Sequence, residues 1–151
     1  MSSLLLHLRE EKSCVEEFLS VLDREEQAMK NGEFAELPGL TEQKAQLLQR
    51  MAELDVGRVS MQVSLGFEPS RDGADAAAFE GGPETRQLWT SLLELAEQAK
   101  AGNQRNGTMV YTHLDFTQKA LHFLQASAQL FYGPDGTRKT TGGSGNRLAL
   151  G

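Results

Sequence analysis

Residues 4–29 read LLLHLREEKSCVEEFLSVLDREEQAM, and this stretch decides the fold class. Alternating steps of four and three residues from its first leucine reach Leu4, Leu8, Glu11, Val15, Phe18, Leu22, Glu25 and Met29. Six of these eight positions are apolar, which is the pattern of a helix that packs along its length against another helix. Ser2 or Ser3 can cap its start. Asn31 and Gly32 can end it, because both tolerate a left-handed backbone.

A second stripe with the same spacing begins after Pro38. Its positions are Leu40, Lys44, Leu47, Met51, Leu54, Arg58, Met61 and Leu65. Pro38 suits the first turn of a helix, where its missing N–H group is no loss. Gly66 and Pro69 then stop the pattern, so we expect a second helix over about residues 38–65.

A third and longer stripe starts near Glu84. It passes through Trp89, Leu92, Ala96, Ala99, Asn103, Asn106, Val110, Leu114, Thr117, Leu121, Leu124, Ala128 and Phe131. The apolar spacing continues without interruption through Gly102 and Gly107, which favours one helix over about residues 84–132. A turn at Asn106–Gly107 is the alternative and would give four helices. Asn103 and Asn106 indicate either a buried polar layer that fixes alignment or a functional kink.

The remaining segments are rich in glycine. Residues 66–83 hold four glycines and two prolines, which predicts a mobile loop with at most a short turn of helix over 74–79. Residues 133–151 carry too few apolar side chains to offset the entropy of ordering, so we expect a disordered tail. The predicted fold is all-α: an antiparallel bundle of three long helices over residues 1–132, with left-handed coiled-coil packing and a flexible C-terminal tail.

The charged members of the first two stripes suggest a register. In an antiparallel hairpin, facing residue numbers have a constant sum, and a sum of 69 pairs apolar positions along both helices. It also places Glu11 opposite Arg58 and Glu25 opposite Lys44, whereas a shift by seven breaks both charge matches. Such pairs select register and orientation more than they add stability. The alternative is that each long side chain extends independently to solvent. The connection that this register implies, of about eight to ten residues, is long for a helical hairpin.

Composition excludes several classes of protein. The chain has 151 residues and a formal net charge of -6, which disfavours binding to a nucleic-acid backbone. Its single cysteine, Cys14, excludes an intrachain disulfide. No run approaches the 18 or so apolar residues of a membrane span, and the early leucines are followed at once by charges rather than by a signal-peptide pattern. We expect a cytoplasmic protein with no membrane insertion.

The sequence contains few residues in arrangements that support catalysis, metal binding or phosphate binding. His7, His113 and His122 lie in no metal-binding spacing, and Cys14 has no identifiable base partner. The glycines of residues 142–145 are not followed by Lys-Ser/Thr, which excludes a phosphate-binding loop. We therefore expect no catalytic residues, no metal and no cofactor.

Several segments resemble the flagellar export chaperone family known as FlgN. They are Leu40-Thr41-Glu42-Gln43-Lys44 with Leu47-Leu48, Arg58, Trp89, Leu92-Leu93, Asn103-Gln104-Arg105-Asn106-Gly107 and Leu130-Phe131-Tyr132-Gly133-Pro134-Asp135-Gly136. The fifth segment is similar to the family's Asn-x-x-Asn-Gly, and the last to its Leu-Tyr-Gly-x-Asp-Gly. Phe131 stands between the leucine and the tyrosine of that motif, which is a small departure.

The resemblance implies a helical bundle without catalysis. Members of this family bind hook–filament junction proteins, prevent their premature self-association and deliver them to the flagellar type III export gate. For this chain, the resemblance assigns client recognition to about residues 114–131 and docking to the cytosolic domain of the gate to Tyr132. The partner-binding residues implied in this way are Leu114, Phe116, Leu121, Phe123, Leu124, Ala128, Leu130, Phe131 and Tyr132.

The pattern of the last helix fits this implication in one respect. Phe116, Phe123 and Leu130 form a second row, seven residues apart, beside the row that contains Leu114 and Leu121. An apolar stripe of this width is more than one neighbouring helix needs. It either packs against the first two helices or offers a face to an amphipathic client helix. A different class also stays open: a dimeric coiled-coil scaffold or adaptor without chaperone activity.

Overall fold

The computed structural model describes the backbone of residues 2–132 and the side chains of residues 2–126. Throughout that range every long element is helical, so the predicted all-α class is confirmed. The four helices are α1 (Ser3–Asn31), α2 (Leu37–Ser64), α3 (Arg71–Glu80) and α4 (Pro83–Tyr132). The predicted tail, residues 133–151, lies outside the described residues.

Both ends of α1 form as predicted. The Ser2 hydroxyl accepts a hydrogen bond from the backbone N–H of Leu5 at 3.1 Å, which satisfies one of the unpaired donors of the first turn. At the other end, Gly32 adopts a left-handed backbone with φ 73° and returns its N–H to carbonyls of the last turn. A side chain at this position would strain the turn, so glycine fits it best.

The connection from α1 to α2 is shorter than the register had implied. Residues Phe34–Glu36 form one turn of 3₁₀-helix, and α2 begins directly afterwards at Leu37, with Pro38 in its first turn. The tight turn uses few residues because a 3₁₀-helix continues almost directly into an α-helix. The connection therefore presents no obstacle to the predicted pairing of the two helices.

The prediction of a loop over residues 66–83 is wrong for residues 71–80, which form α3. The Ser70 side chain caps this helix by accepting from Gly73 N–H at 3.1 Å. Gly73, Ala74, Ala77 and Ala78 are buried, so the helix is held by close packing of small residues. A Cβ on Gly73 would lie 1.9 Å from the carbonyl oxygen of Glu68, so only glycine permits this approach. The fourth helix is therefore α3, whereas the predicted alternative with four helices required a break at Gly107.

The main apolar core lies along α1. Leu8 is 1% exposed and Phe18 is 3% exposed, and both belong to one apolar cluster that also contains the alanines of α3 and Trp89 and Leu92 of α4. A second apolar cluster joins Val21 and Ala28 of α1 to Leu40 of α2. Burial of this kind is the main source of folding free energy, about 1.5–3 kcal/mol for each large side chain. Coiled-coil packing of the long helices stays a prediction.

The chain divides into two compact units, Met1–Asn106 and Gly107–Gly151. α4 contains Gly102 and Gly107 within its helical span, as the persistent phase of the third stripe predicted. The unit boundary falls between Asn106 and Gly107, the position at which a turn had been the alternative. The predicted bundle domain over residues 1–132 therefore comprises the first unit and the helical part of the second.

Candidate partner-binding surface

The helices of the first unit are aligned by two polar layers, and the first is centred on Glu11 and Arg58. Glu11 is only 7% exposed. Arg58 Nε lies 3.1 Å from each of its carboxylate oxygens. Arg58 also bonds the carboxylate of Asp55 and the side-chain oxygen of Gln62. Burial raises the pKa of Glu11 above its ordinary value, and the charge and hydrogen bonds of Arg58 oppose that shift.

Gln62 extends this layer to the segment before α3. Its side chain is 1% exposed, and its Nε2 donates to the carbonyl of Glu68 at 2.5 Å and to that of Ser70 at 3.0 Å. A buried amide must find partners for its donors, because leaving one unpaired costs about 1–3 kcal/mol. These bonds hold the residues that start α3 against the end of α2.

Trp89 joins α3 and α4 to the same layer. The Arg58 guanidinium carbon lies 4.9 Å from the centre of the Trp89 ring, within range of a cation–π contact. The indole N–H donates to Asp75 Oδ1 at 2.7 Å. That bond and the nearby Arg71 guanidinium lower the pKa of Asp75, because both stabilise its ionised form.

The second polar layer lies at the end of the first unit. Lys44 Nζ lies 3.1 Å from Glu25 Oε1 and 2.8 Å from Asn103 Oδ1. Asn106, 2% exposed, donates from Nδ2 to the carbonyl of Leu22 at 2.8 Å and to Glu25 Oε1 at 3.0 Å. The layer therefore ties together α1, α2 and the part of α4 that ends the first unit.

Both predicted charge pairs, and therefore the predicted register, are confirmed. Glu11 meets Arg58 and Glu25 meets Lys44, as a constant sum of 69 requires. Of the two alternatives for Asn103 and Asn106, the buried polar layer is the one the structure contains, since α4 is helical through both residues. The Trp89–Asp75 contact was not predicted from sequence, because it depends on α3.

The helical part of the second unit presents an apolar surface, which we call the α4 apolar face. It comprises the five predicted partner-binding residues whose side chains are described. Their exposed fractions are 54% for Leu114, 69% for Phe116, 41% for Leu121, 71% for Phe123 and 61% for Leu124. Large apolar side chains are normally covered, so five that are exposed within eleven residues of one helix mark a candidate site of interaction.

Two residues that precede this face are exposed as well. Val110 is 41% exposed and Tyr111 is 72% exposed. Val110 belongs to the apolar stripe of the third helix, and Tyr111 was missed because it falls outside that stripe. The side chains of four further predicted residues lie outside the described residues: Ala128, Leu130, Phe131 and Tyr132.

The described part of the chain contains no group of three or more His, Cys, Asp or Glu residues arranged to hold a metal ion. Cys14 is 2% exposed, with its Sγ 3.7 Å from the carbonyl of Leu47, and burial raises the pKa of its thiol. None of the helices described here has both the length and the hydropathy required to cross a membrane.

Comparison with known proteins decides the family. The family described as FlgN protein matches residues 1–140. The chain belongs to the FlgN family. The match includes both polar layers, the α4 apolar face and the first residues beyond Tyr132, so the FlgN resemblance of separate motifs is confirmed across nearly the whole chain.

Individual FlgN relatives cover the chain to different extents. The Flagella synthesis protein FlgN of Yersinia enterocolitica serotype O:8 / biotype 1B is 28% identical over 147 residues, which is 95% of each chain. The Flagella synthesis protein FlgN of Proteus mirabilis is 28% identical over 112 residues, covering 74% of this chain and 71% of that protein. No solved structure shows a significant match.

Proposed function

We propose that the chain is a cytoplasmic export chaperone without catalytic activity. It binds hook–filament junction proteins, prevents their premature self-association and delivers them to the flagellar type III export apparatus. Membership of the FlgN family, whose relatives here are named flagella synthesis proteins, supports a role in building the flagellum. The observation that carries the chaperone role is the α4 apolar face, with five large side chains exposed on one helix.

The physical basis of client binding is burial of apolar surface. A client helix with its own apolar stripe gains roughly 25 cal/mol for each Å² removed from water, before the cost of ordering is subtracted. The same surface on the client, if left uncovered, would drive its self-association. A chaperone that covers it therefore keeps the client soluble and competent for export. The net charge of -6 does not supply this energy, because the face itself consists of uncharged side chains.

The proposal is tested by mixing the purified full chain with a purified hook–filament junction protein. Size-exclusion chromatography with light scattering should show a complex of defined stoichiometry, and hydrogen exchange should show new protection over residues 110–126. Absence of a complex at micromolar concentration, or protection confined to the first unit, contradicts the assignment of the face to client binding.

The same experiment separates the chaperone from a dimeric scaffold. A scaffold would use the α4 apolar face to bind a second copy, and light scattering would give a stable dimer before any client is added. A chaperone should instead form its defined complex only when the client is present. A client-indifferent dimer that a charged substitution on this face dissociates would reject the chaperone proposal.

A further inference from the structure

A second apolar surface lies on α2, on the side of that helix away from α1. Five residues spaced by four, four, three and four positions form it, and we call it the α2 outer face: Leu48, Ala52, Val56, Val59 and Val63. At about 100° per residue these side chains share one side of the helix, distinct from the seam that contains Leu47 and Leu54. The seam packs in the bundle, whereas four of the five residues of the outer face are exposed and Val59 is half-buried.

The exposure of this face is high for aliphatic side chains. Leu48 is 50% exposed, Val56 69% and Val63 50%, and Ala52 is exposed as well. Isolated exposed apolar residues are common and need no explanation. A row at helical spacing over four turns is different, because it matches the apolar stripe of a partner helix.

The size of the α2 outer face argues against a stable homodimer. Leu48 to Val63 spans about 22 Å at ~1.5 Å per residue. With a width of about 10 Å, the area is on the order of 200 Å², whereas a stable interface buries about 800 Å² on each partner. This face suits one helix bound weakly and transiently.

The charges along the α2 outer face indicate which kind of partner helix would bind there. Every Lys and Arg of α2 pairs with an acid of α1: Lys44 with Glu25, Arg50 with Glu10 and Arg58 with Glu11. The edges of the outer face are left with acids. Glu42 and Glu53 lie along one edge and Asp55, which also pairs with Arg58, lies along the other, and all three are exposed.

A second copy of this chain is disfavoured by the same charges. In an antiparallel pair like edges meet, so the edge that carries Glu42 and Glu53 would face the same edge of the second copy. In a parallel pair opposite edges meet, so Glu53 would face Asp55. Like charges placed opposite each other across an interface oppose association.

We propose that the α2 outer face docks an amphipathic helix of another protein, with an aliphatic row flanked by Lys or Arg. Ala52 leaves a gap among the valines that accepts one large side chain of the partner, and the acidic edges select its basic flanks. This surface differs from the α4 apolar face, and the inference does not depend on the proposed function.

The test uses two synthetic 24-residue helical peptides with the same leucine row, one flanked by lysines and one by glutamates. Each is titrated into the isotope-labelled full chain and followed by NMR. The lysine-flanked peptide should shift the amides of residues 48–63 saturably, and its affinity should fall as salt is raised. The glutamate-flanked peptide should bind at least tenfold more weakly.

Two variants and a control locate the site. Val56→Glu should weaken the lysine-flanked peptide at least tenfold, whereas Gln87→Glu, which adds the same charge at an exposed position of α4, should change its affinity less than twofold. The double variant Glu42→Lys/Glu53→Lys should reverse the preference between the two peptides, a result that simple misfolding cannot give.

The proposal is overturned if the unmodified chain binds both peptides equally, or if Val56→Glu leaves the shifts of residues 48–63 unchanged. It is also overturned if sedimentation velocity shows a dimer that Val56→Glu dissociates, since the face would then belong to a second copy.

Discussion

Lys44 Nζ lies 3.1 Å from Glu25 Oε1, and this contact joins α2 to α1 at a position where both helices would otherwise present apolar seam residues. The side chain of Glu25 is only 4% exposed and that of Lys44 17%. A pair buried to this degree adds little net stability, because the cost of removing both charges from water offsets their attraction. Its effect is to make one helix register preferable to those shifted by a heptad.

The coupling between Glu25 and Lys44 should be measurable in a double-mutant cycle. Removing either partner leaves a buried charge unpaired, so Glu25→Leu and Lys44→Met should each destabilise the fold by about 3–5 kcal/mol. The double variant should cost less than the sum of the two, by about 1–3 kcal/mol. Urea unfolding followed by circular dichroism gives all four free energies.

The chain contains its own control for that cycle. Arg50 and Glu10 also join α2 to α1, at 3.5 Å, but their side chains are 57% and 59% exposed. An exposed pair of this kind should show a coupling of about 0–1 kcal/mol. Equal coupling in the two cycles would show that burial does not distinguish the Glu25–Lys44 pair.

Two Gly→Ala substitutions should have opposite effects on stability. At Gly73 the new methyl group meets the Glu68 carbonyl oxygen at 1.9 Å, so α3 must move and the first unit should lose stability by a few kcal/mol. At Gly39, also helical, nothing lies within 4 Å of the new methyl group, and stability should rise by up to about 1 kcal/mol. Thermal unfolding of both variants decides this, and an unchanged melting temperature for Gly73→Ala would contradict the packing of α3.

Trp89 should report the ionisation of Asp75. Because the pKa of Asp75 is lowered in the folded protein, its contribution to stability is present in full above the unfolded pKa of about 3.9. That contribution is lost as the pH falls through the lower folded value. The fluorescence of this single tryptophan should therefore change below about pH 4, as the Asp75 carboxylate that accepts from the indole is protonated.

Asp75→Asn supplies the control for the titration. Asparagine keeps an oxygen acceptor for the indole N–H but does not ionise, so the low-pH fluorescence change should disappear while the far-ultraviolet circular dichroism matches that of the unmodified chain. The same fluorescence titration in both proteins would assign the change to another group.

Client binding should depend on the α4 apolar face. Leu121→Asp or Leu124→Asp places a charge in the surface that the client must dehydrate, so capture of a hook–filament junction protein should be abolished with helix content retained. His122→Asp introduces the same side chain at an exposed position of the same helix, off the face, and should bind the client normally. Calorimetric titration gives the affinities, and unchanged binding by the leucine variants rejects the site.

Recruitment to the export gate should be separable from client binding. We expect Tyr132→Ala to leave the affinity for a junction protein unchanged, since the leucines and phenylalanines proposed to bind the client remain. Its pull-down by the cytosolic domain of the gate should be weakened. Normal recovery of the variant in that pull-down would remove Tyr132 from this role.

The regular spacing of apolar residues determined a large part of this protein's fold. The four-and-three spacing from Leu4 and from Leu40 specifies two helices and the faces they bury, since an apolar stripe must be covered wherever it occurs. The placement of Glu11, Glu25, Lys44 and Arg58 within those stripes specifies their register, because only one antiparallel alignment matches both charges. The large apolar residues of the third stripe and its second row showed that the last helix is apolar over more than one neighbour needs, but they left open whether that surface packs against the first two helices or binds a client.

Only the tertiary structure decided what α3 does and which apolar rows stay exposed. α3 is stabilised by close approach of Gly73 and small alanines, and small side chains give almost no hydropathy signal. The exposure of Leu48, Val56 and Val63 was equally hidden, because a sequence shows that a row is apolar but not whether a neighbour covers it. Local spacing fixes helices and their seams, whereas burial depends on where distant segments pack, and that is settled only when the chain is folded.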